Sequence, residues 1–367
     1  MDMDGPSAAQ FRSCLLRWFD ATKRDMPWRR TKDPYRILLS EVLLQRTRVV
    51  SGTRYYERFL QRFPDLPALA EASEQDVLRA WEGLGFYGRA RNLHRAAKAI
   101  MERFGGRIPS NVESLLELPG IGPYTAGAVA SIAFGERVPA VDGNGMRVLA
   151  RVFRIEADVS KGAGRDEVWS RARSLVPASR PGTFNQALME LGATVCTPKS
   201  PSCSLCPLED VCLARGSGLQ GRLPNIPRAR KSQVVPVAFA LVESRGRVLL
   251  VRRPDSGLLA GLWSLPGGEI LADADAEPAL ERLLRDQTGL RARVGDRVAR
   301  VAHTFSHRRW SGAIYRCEPR ATVDPTEPAR WATREEMHAL PLVPFHRRFL
   351  EALESRRPLG SFGTPRA

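Results

Sequence analysis

Four of the six cysteines in this 367-residue chain fall inside one stretch of seventeen, CTPKSPSCSLCPLEDVC, residues 196–212. Gaps of six, two and five residues separate Cys196, Cys203, Cys206 and Cys212. Chance does not crowd cysteines this way, so something joins them: a disulfide framework or a metal centre. The N-terminal MDMDGPSAAQ is acidic and polar, without the apolar core of a secretion signal, and no run of eighteen apolar residues exists to span a membrane. The expectation is a cytosolic chain with reduced thiols, which makes the four cysteines metal ligands. Zinc ribbons use two CxxC pairs and this loop has one, whereas iron–sulfur clusters accept four thiolates from compact loops of varied spacing. Spacing leaves both metals open. Cys14 and Cys317 lie outside the pattern and read as small buried hydrophobes.

The cysteine loop closes a long helical stretch. AQFRSCLLRWFDATKRD sets Phe11, Leu15, Trp18 and Phe19 on one stripe of an amphipathic helix. PYRILLSEVLLQRT, ARNLHRAAKAIMERF, YTAGAVASIAF and FNQALMELGATVC continue in that manner, punctuated by Pro and Gly. After Cys212 the texture changes to a Gly-, Pro- and Arg-rich linker, ARGSGLQGRLPNIPRARKS, and then to short strand-like runs such as VVPVAFALVES around the helical EPALERLLRDQTGL. A separate α+β domain follows from about residue 233. Lys and Arg total 56 against 40 acids, a net charge of +16. Such a balance fits a polyanionic partner, bound through counterion release, and equally a GC-rich genome that favours Arg codons.

Two acidic residues and one turn are candidates for chemistry. In LPGIGPYTAG, Gly120 and Gly122 permit a tight turn between helices, and Pro123 suits a first helical position. The free N–H groups that follow, at the positive end of a helix dipole, suit a phosphate. Asp142, in VPAVDGNGMRV, stands in a turn before a helical stretch, where an N-cap is its ordinary task. Glu41 lies at helical spacing from Ile37, Leu38 and Leu44, so desolvation would raise its pKa, unless it is a surface residue paired with Arg36 or Arg48.

Taken together, PW, SEV, GLG, LPGIGPYTAG, VDGNG, the C-x6-C-x2-C-x5-C loop and FSH run in the order of the MutY-type adenine DNA glycosylases, which the chain resembles over nearly its whole length. These belong to the helix-hairpin-helix, iron–sulfur DNA glycosylases. The resemblance implies a mainly α catalytic part of two helical lobes, 9–27 with 138–215 and 28–137, a linker at 216–232, and a Nudix-like α+β domain at 233–367. It implies one [4Fe–4S] cluster on Cys196, Cys203, Cys206 and Cys212. It makes Glu41 the acid that protonates adenine and Asp142 the carboxylate that stabilises the sugar cation, with Asn144 in support. Trp28, Arg29, Leu44, Val49 and Gln186 would line the base pocket. Gln45, Arg46, Thr47, Phe86, Tyr87, Gly120, Gly122 and Lys199 would face DNA. Phe305, Ser306 and His307 would contact 8-oxoguanine. Position 124, a Schiff-base lysine in strand-cutting relatives, is Tyr124, which implies a glycosylase without lyase activity. The expected partner is double-stranded DNA with adenine opposite 8-oxoguanine or guanine, bound by a monomer, with no membrane.

Departures from the family pattern fall near the expected DNA contacts. Arg46 stands where a second Gln is usual, Phe86 where a Tyr is common, and Gly145 where Val is usual. A Nudix box laid from Gly268 to Leu290 keeps Arg282 and Gly289, yet its metal positions read Ala274, Leu283, Asp286 and Gln287. Three of four acids are gone, so the domain is expected to read rather than hydrolyse. Arg46 with Tyr124 also suits a thymine or uracil glycosylase acting on mismatches with guanine, and a non-catalytic iron–sulfur lesion-binding protein is the alternative from another class.

Overall fold

The computed structural model describes residues 7–227, 232–272, 274–305, 308–321, 324–355 and, as backbone, 361–363. The chain divides into two compact units, residues 1–71 with 92–228 and residues 72–91 with 229–367. Ser306 and His307 lie outside the described residues. Among the described residues no helix is long and apolar enough to cross a membrane.

The first unit is helical. Helix Ala8–Thr22 starts at Ser7, whose side chain accepts from the Gln10 N–H, and buries Phe11, Leu15 and Phe19 while Trp18 is half-buried. These residues share a core with helices Gly143–Val152, Gly162–Leu175 and Pro181–Thr194, where the Phe11 ring lies 6.1 Å from both Phe153 and Phe184. Helix Pro34–Leu44 opens with Asp33 accepting from the Tyr35 and Arg36 N–H groups and with Pro34 at its first position. Residues 35–43 of it are all buried except Arg36, so it is a core helix rather than a surface one. It packs against helix Pro123–Ala133, whose small residues allow close approach. A Cβ at Gly127 would lie 2.1 Å from the Pro139 carbonyl oxygen, so the chain after the helix passes close to its backbone there. That contact sets the extended segment leading to Asp142.

The second unit is built on a sheet of β1 (Gln233–Ser244), β2 (Arg247–Arg252), β3 (Trp263–Ser264), β4 (Gly267–Glu269), β5 (Ala292–Thr304), β6 (Arg308–Pro319), β7 (Ala329–Ala332) and β8 (Ser361–Gly363). The path runs β3-β2-β1-β6-β5-β8, with β4 beside β1 and β7 beside β2. β1 and β6 are parallel in register from Gln233↔Arg308 to Val242↔Cys317. The run VAFALV, 237–242, is buried on both faces, as a central strand requires. Helix Ala276–Thr288 sets Leu280 and Leu284 against Leu249 and Val251. On it, Gln287 uses both ends of its amide on Gly267, accepting from the N–H at 2.8 Å and donating to the carbonyl at 3.1 Å. The Gln287 carboxamide is therefore engaged by backbone, at one of the positions where the sequence reading expects an acid. The α+β domain expected from the sequence is present, and residues 72–91 belong to its unit.

Candidate active site

Helix Pro34–Leu44 carries Glu41 into the interior of the first unit, where it is 7% exposed. The Tyr124 hydroxyl, from the first turn of helix Pro123–Ala133, donates to Glu41 Oε2. Burial pushes the Glu41 carboxyl up to about 7; the Tyr124 bond opposes this, and the nearby Asp142 charge adds to it. Asp142 is the N-cap of helix Gly143–Val152: its Oδ1 accepts from the Gly145 N–H at 2.7 Å and its Oδ2 from Asn144 Nδ2 at 2.8 Å. Burial raises its pKa, while those two bonds and the Arg147 charge hold it down. The ordinary cap and a carboxyl group of the site are thus one residue. At Gly145 a Cβ would meet Leu188 at 3.2 Å, so Leu188 fills the space a larger side chain would take.

Glu41, Tyr124, Asp142 and Asn144 line one open cavity of about 840 Å³, together with Trp28, Arg29, Leu44, Val49 and Gln186. Gln45, Arg46 and Thr47 border it too, in the turn after helix Pro34–Leu44. Trp28 is buried edge-on against Tyr56, with ring centroids 5.4 Å apart. Gln45 Nε2 donates to Thr125 Oγ1 at 3.2 Å, and exposed Arg46 holds a left-handed backbone with φ of 61°. Gly120 (φ 75°) turns the chain between helices Val112–Leu116 and Pro123–Ala133, and Gly122 caps the latter; neither lines the cavity. Lys199 is exposed in the cysteine loop. Phe86, Tyr87 and Phe305 belong to the second unit.

A second, smaller cavity is walled by Cys196, Cys203, Cys206 and Cys212. Burial, with the other three cysteines nearby, pushes the Cys206 thiol up to about 12. Arg151, 1% exposed, donates to Cys196 Sγ at 3.2 Å and to the Thr197 carbonyl at 2.8 Å. Four sulfurs around a shared hollow, one met by a buried cation, fit a polynuclear anionic cluster. Among the described residues no group of three or more His, Cys, Asp or Glu closes on a single ion. Cys14 is half-buried and Cys317 buried in the sheet core.

Comparison with known proteins joins these sites. A profile described as the iron-sulfur binding domain of endonuclease III matches residues 196–212, one described as an HhH-GPD superfamily base excision DNA repair protein matches 39–174, and a NUDIX domain matches 237–352. The human adenine DNA glycosylase is 36% identical, with 99% of this chain and 78% of that protein aligned. The chain belongs to the adenine DNA glycosylase family. The mouse member is 39% identical over 91% of the chain and 76% of its own length. A solved thermostable thymine-DNA glycosylase is 31% identical, with a TM-score of 0.52, over 57% of this chain and 97% of its own. As a member of this family the chain is a DNA N-glycosylase that carries a [4Fe–4S] cluster. Cys196, Cys203, Cys206 and Cys212, just past helix Pro181–Thr194, are the four candidate ligands that would hold it.

Several residues of this glycosylase escaped sequence reasoning. Glu190 is 2% exposed at the cavity and accepts from Arg24 Nε at 2.6 Å, Arg24 Nη2 at 2.8 Å and Arg29 Nη2 at 2.9 Å. Burial favours its neutral form, yet these bonds and charges outweigh burial and bring it down to about 2. The signal was present: Glu190 stands four residues after Gln186, one turn along the same helix face. Met189 Sδ lies 3.2 Å from the Tyr124 hydroxyl. Arg147 links the two cavities, donating to Asn144 Oδ1 at 2.9 Å and to the Cys196 carbonyl at 2.8 Å. No spacing rule marks either contact.

Proposed function

We propose that this protein removes adenine mispaired with 8-oxoguanine, and more slowly with guanine, from duplex DNA by hydrolysing its N-glycosidic bond. The observation that carries the proposal is a buried Glu41, its carboxyl pushed up to about 7, sharing one cavity with the helix-capping carboxyl of Asp142. Adenine leaves poorly until protonated, and the sugar gains positive charge as the bond stretches. Protonated Glu41 donates to a ring nitrogen of the flipped base, and ionised Asp142 stabilises the sugar cation before water adds, the division of labour of glycoside hydrolysis. Tyr124 orients Glu41, and Asn144 holds Asp142. Trp28, Arg29, Leu44, Val49 and Gln186 enclose the base. The described residues lining the cavity include no lysine, which supports base release without strand cleavage. Both carboxylates come from one chain, so a monomer suffices.

On the opposite strand, the Phe86 ring stacks beside the base facing the adenine, while the buried Tyr87 accepts from the Gly83 N–H and supports that loop. Phe305, with Ser306 and His307, meets 8-oxoguanine itself. Gln45, Arg46, Thr47, the Gly120–Gly122 turn and Lys199 serve the DNA backbone and stack. A second reading, thymine release opposite guanine, is favoured by Arg46 at the cavity and by the likeness to a thymine-DNA glycosylase. Single-turnover base release from matched duplexes with A opposite 8-oxoguanine, A opposite G and T opposite G decides between them. Fast release from the first, little from the third and breaks seen only after alkali are expected; preference for T opposite G refutes the adenine reading.

A further inference from the structure

Residues 72–91 lie between two helical segments of the first unit in sequence, yet they pack with the sheet unit. Their anchors are specific. Helix Glu74–Ala80 begins at Ser73, which accepts from the Asp76 N–H. Gln75 donates to the Gly261 carbonyl at 3.1 Å and accepts from Trp263 Nε1 at 3.0 Å, tying the segment to β3. The strongest tie is ionic. The Glu82 side chain, 8% exposed, accepts from Arg347 Nε and, at 3.1 Å, from Arg347 Nη2. Arg347 sits on helix Pro344–Glu354 and also donates to the Leu340 carbonyl at 2.6 Å. A bidentate, desolvated guanidinium–carboxylate pair fixes distance and angle together.

Directly after Glu82 the chain turns through a run of positive-φ residues. Gly83 (φ 95°), Gly85 (φ 70°) and Phe86 (φ 48°) take left-handed backbone conformations. For phenylalanine that conformation costs energy and persists only where surrounding contacts impose it. They do so here: the fully buried Trp81 donates from Nε1 to the Gly85 carbonyl at 3.2 Å, and Arg89 Nη2 reaches the same carbonyl at 3.2 Å. The Arg89 guanidinium lies 5.6 Å from the Phe86 ring centroid and 5.2 Å from that of Trp81. The product is a large apolar ring, 46% exposed, on a loop whose backbone has little freedom.

We propose that Arg347 is a positioning residue for Phe86: by gripping Glu82 it makes the sheet unit set the stacking ring, so that one unit both carries the reader of the opposite base and aims the wedge beside it. This rests on the reading of Phe86 as a stacking residue. The Arg347 side chain is 12% exposed and engaged by Glu82 and the Leu340 carbonyl, so its loss acts on discrimination through Phe86. Base–aromatic stacking is worth a factor of roughly ten or more in binding.

The test uses the full-length, cluster-loaded protein and two readouts. One is the ratio of single-turnover rates for A opposite 8-oxoguanine and A opposite G. The other is the fluorescence of 2-aminopurine placed next to the opposite base, which reports ring insertion. Arg347→Met should lower the ratio about tenfold, abolish the fluorescence response and add nothing to Phe86→Ala. Arg347→Lys should restore part of both, and Gln75→Leu, which loosens the second tie, should move both in the same direction and keeps the test open if Arg347→Met folds poorly. A normal fluorescence response in Arg347→Met overturns the proposal, as does a multiplicative double variant. If Phe86→Ala leaves the ratio unchanged while Arg347→Met still loses the fluorescence response, the role assigned to Phe86 fails and the positioning contact stands.

Discussion

Replacing Glu41 by Gln should make this enzyme more stable at neutral pH while stopping its chemistry. Folding moves the Glu41 carboxyl from 4.5 to about 7 because burial disfavours its charged form. The folded state therefore binds the proton more tightly than the unfolded chain, and ionising Glu41 costs stability. That cost is absent below about pH 4.5, grows as pH rises and is complete above the folded pKa. A rise of roughly 2.5 in pKa at about 1.4 kcal/mol per unit is about 3 kcal/mol. Gln has nearly the same shape, keeps an oxygen to accept from Tyr124 and never ionises, so it escapes the cost. Denaturant unfolding of wild type and Glu41→Gln, followed through the visible absorbance of the cluster, should show the variant more stable by about 3 kcal/mol at pH 8 and nearly equal at pH 4.5. Base release should fall by roughly 10²- to 10⁴-fold, the usual contribution of an acid catalyst. A stability difference that does not change with pH, or one that favours the wild type at pH 8, would refute the desolvation argument.

Further outcomes follow from the same geometry. Tyr124→Phe removes the bond that favours ionised Glu41, so the alkaline fall in single-turnover rate, set near pH 7 in the wild type, should move to higher pH; a shift downward would contradict the assignment. Asp142→Asn keeps an oxygen for the Gly145 N–H, so calorimetry should find the fold intact while base release drops roughly 10²- to 10³-fold through loss of the charge. Glu190→Ala strands Arg24 and Arg29 and should cost about 3 kcal/mol at pH 7, the lower end for a buried pair because Arg24 is 41% exposed. Since Glu190 is held at about 2 when folded, its contribution is present above pH 4.5 and should shrink as denaturation is measured at progressively lower pH. Gly127→Ala drives a methyl to within 2.1 Å of the Pro139 carbonyl, and a melting loss worth about 1–3 kcal/mol with slowed base release would show that the approach to Asp142 was displaced.

The features legible in the sequence are those whose chemistry is local. The cysteine loop closes on itself within seventeen residues. The hairpin needs its glycines and proline in adjacent places, and Asp142 caps the helix that begins one residue later. Glu41 could be placed on an apolar helix face from its neighbours at three and four residues, which the buried helix Pro34–Leu44 bears out. Even the change from helical to strand-like texture near residue 233 follows from periodicity alone, and β1 starts there.

Tertiary structure decided everything that depends on residues meeting from afar. Glu41 and Tyr124 are 83 positions apart, and only packing of helix Pro34–Leu44 on helix Pro123–Ala133 makes their bond. Glu190 bears on the cavity because Arg24 and Arg29 arrive from the other end of the unit's sequence to hold its charge. Residues 72–91 sit amid helical segments, yet besides Arg79, three residues before it, Glu82 finds a second arginine 265 residues later, in a helix of the sheet unit. Short-range spacing constrains which face a side chain occupies; it says nothing about which buried charge that face will meet, and the pKa of Glu41 is set by the latter.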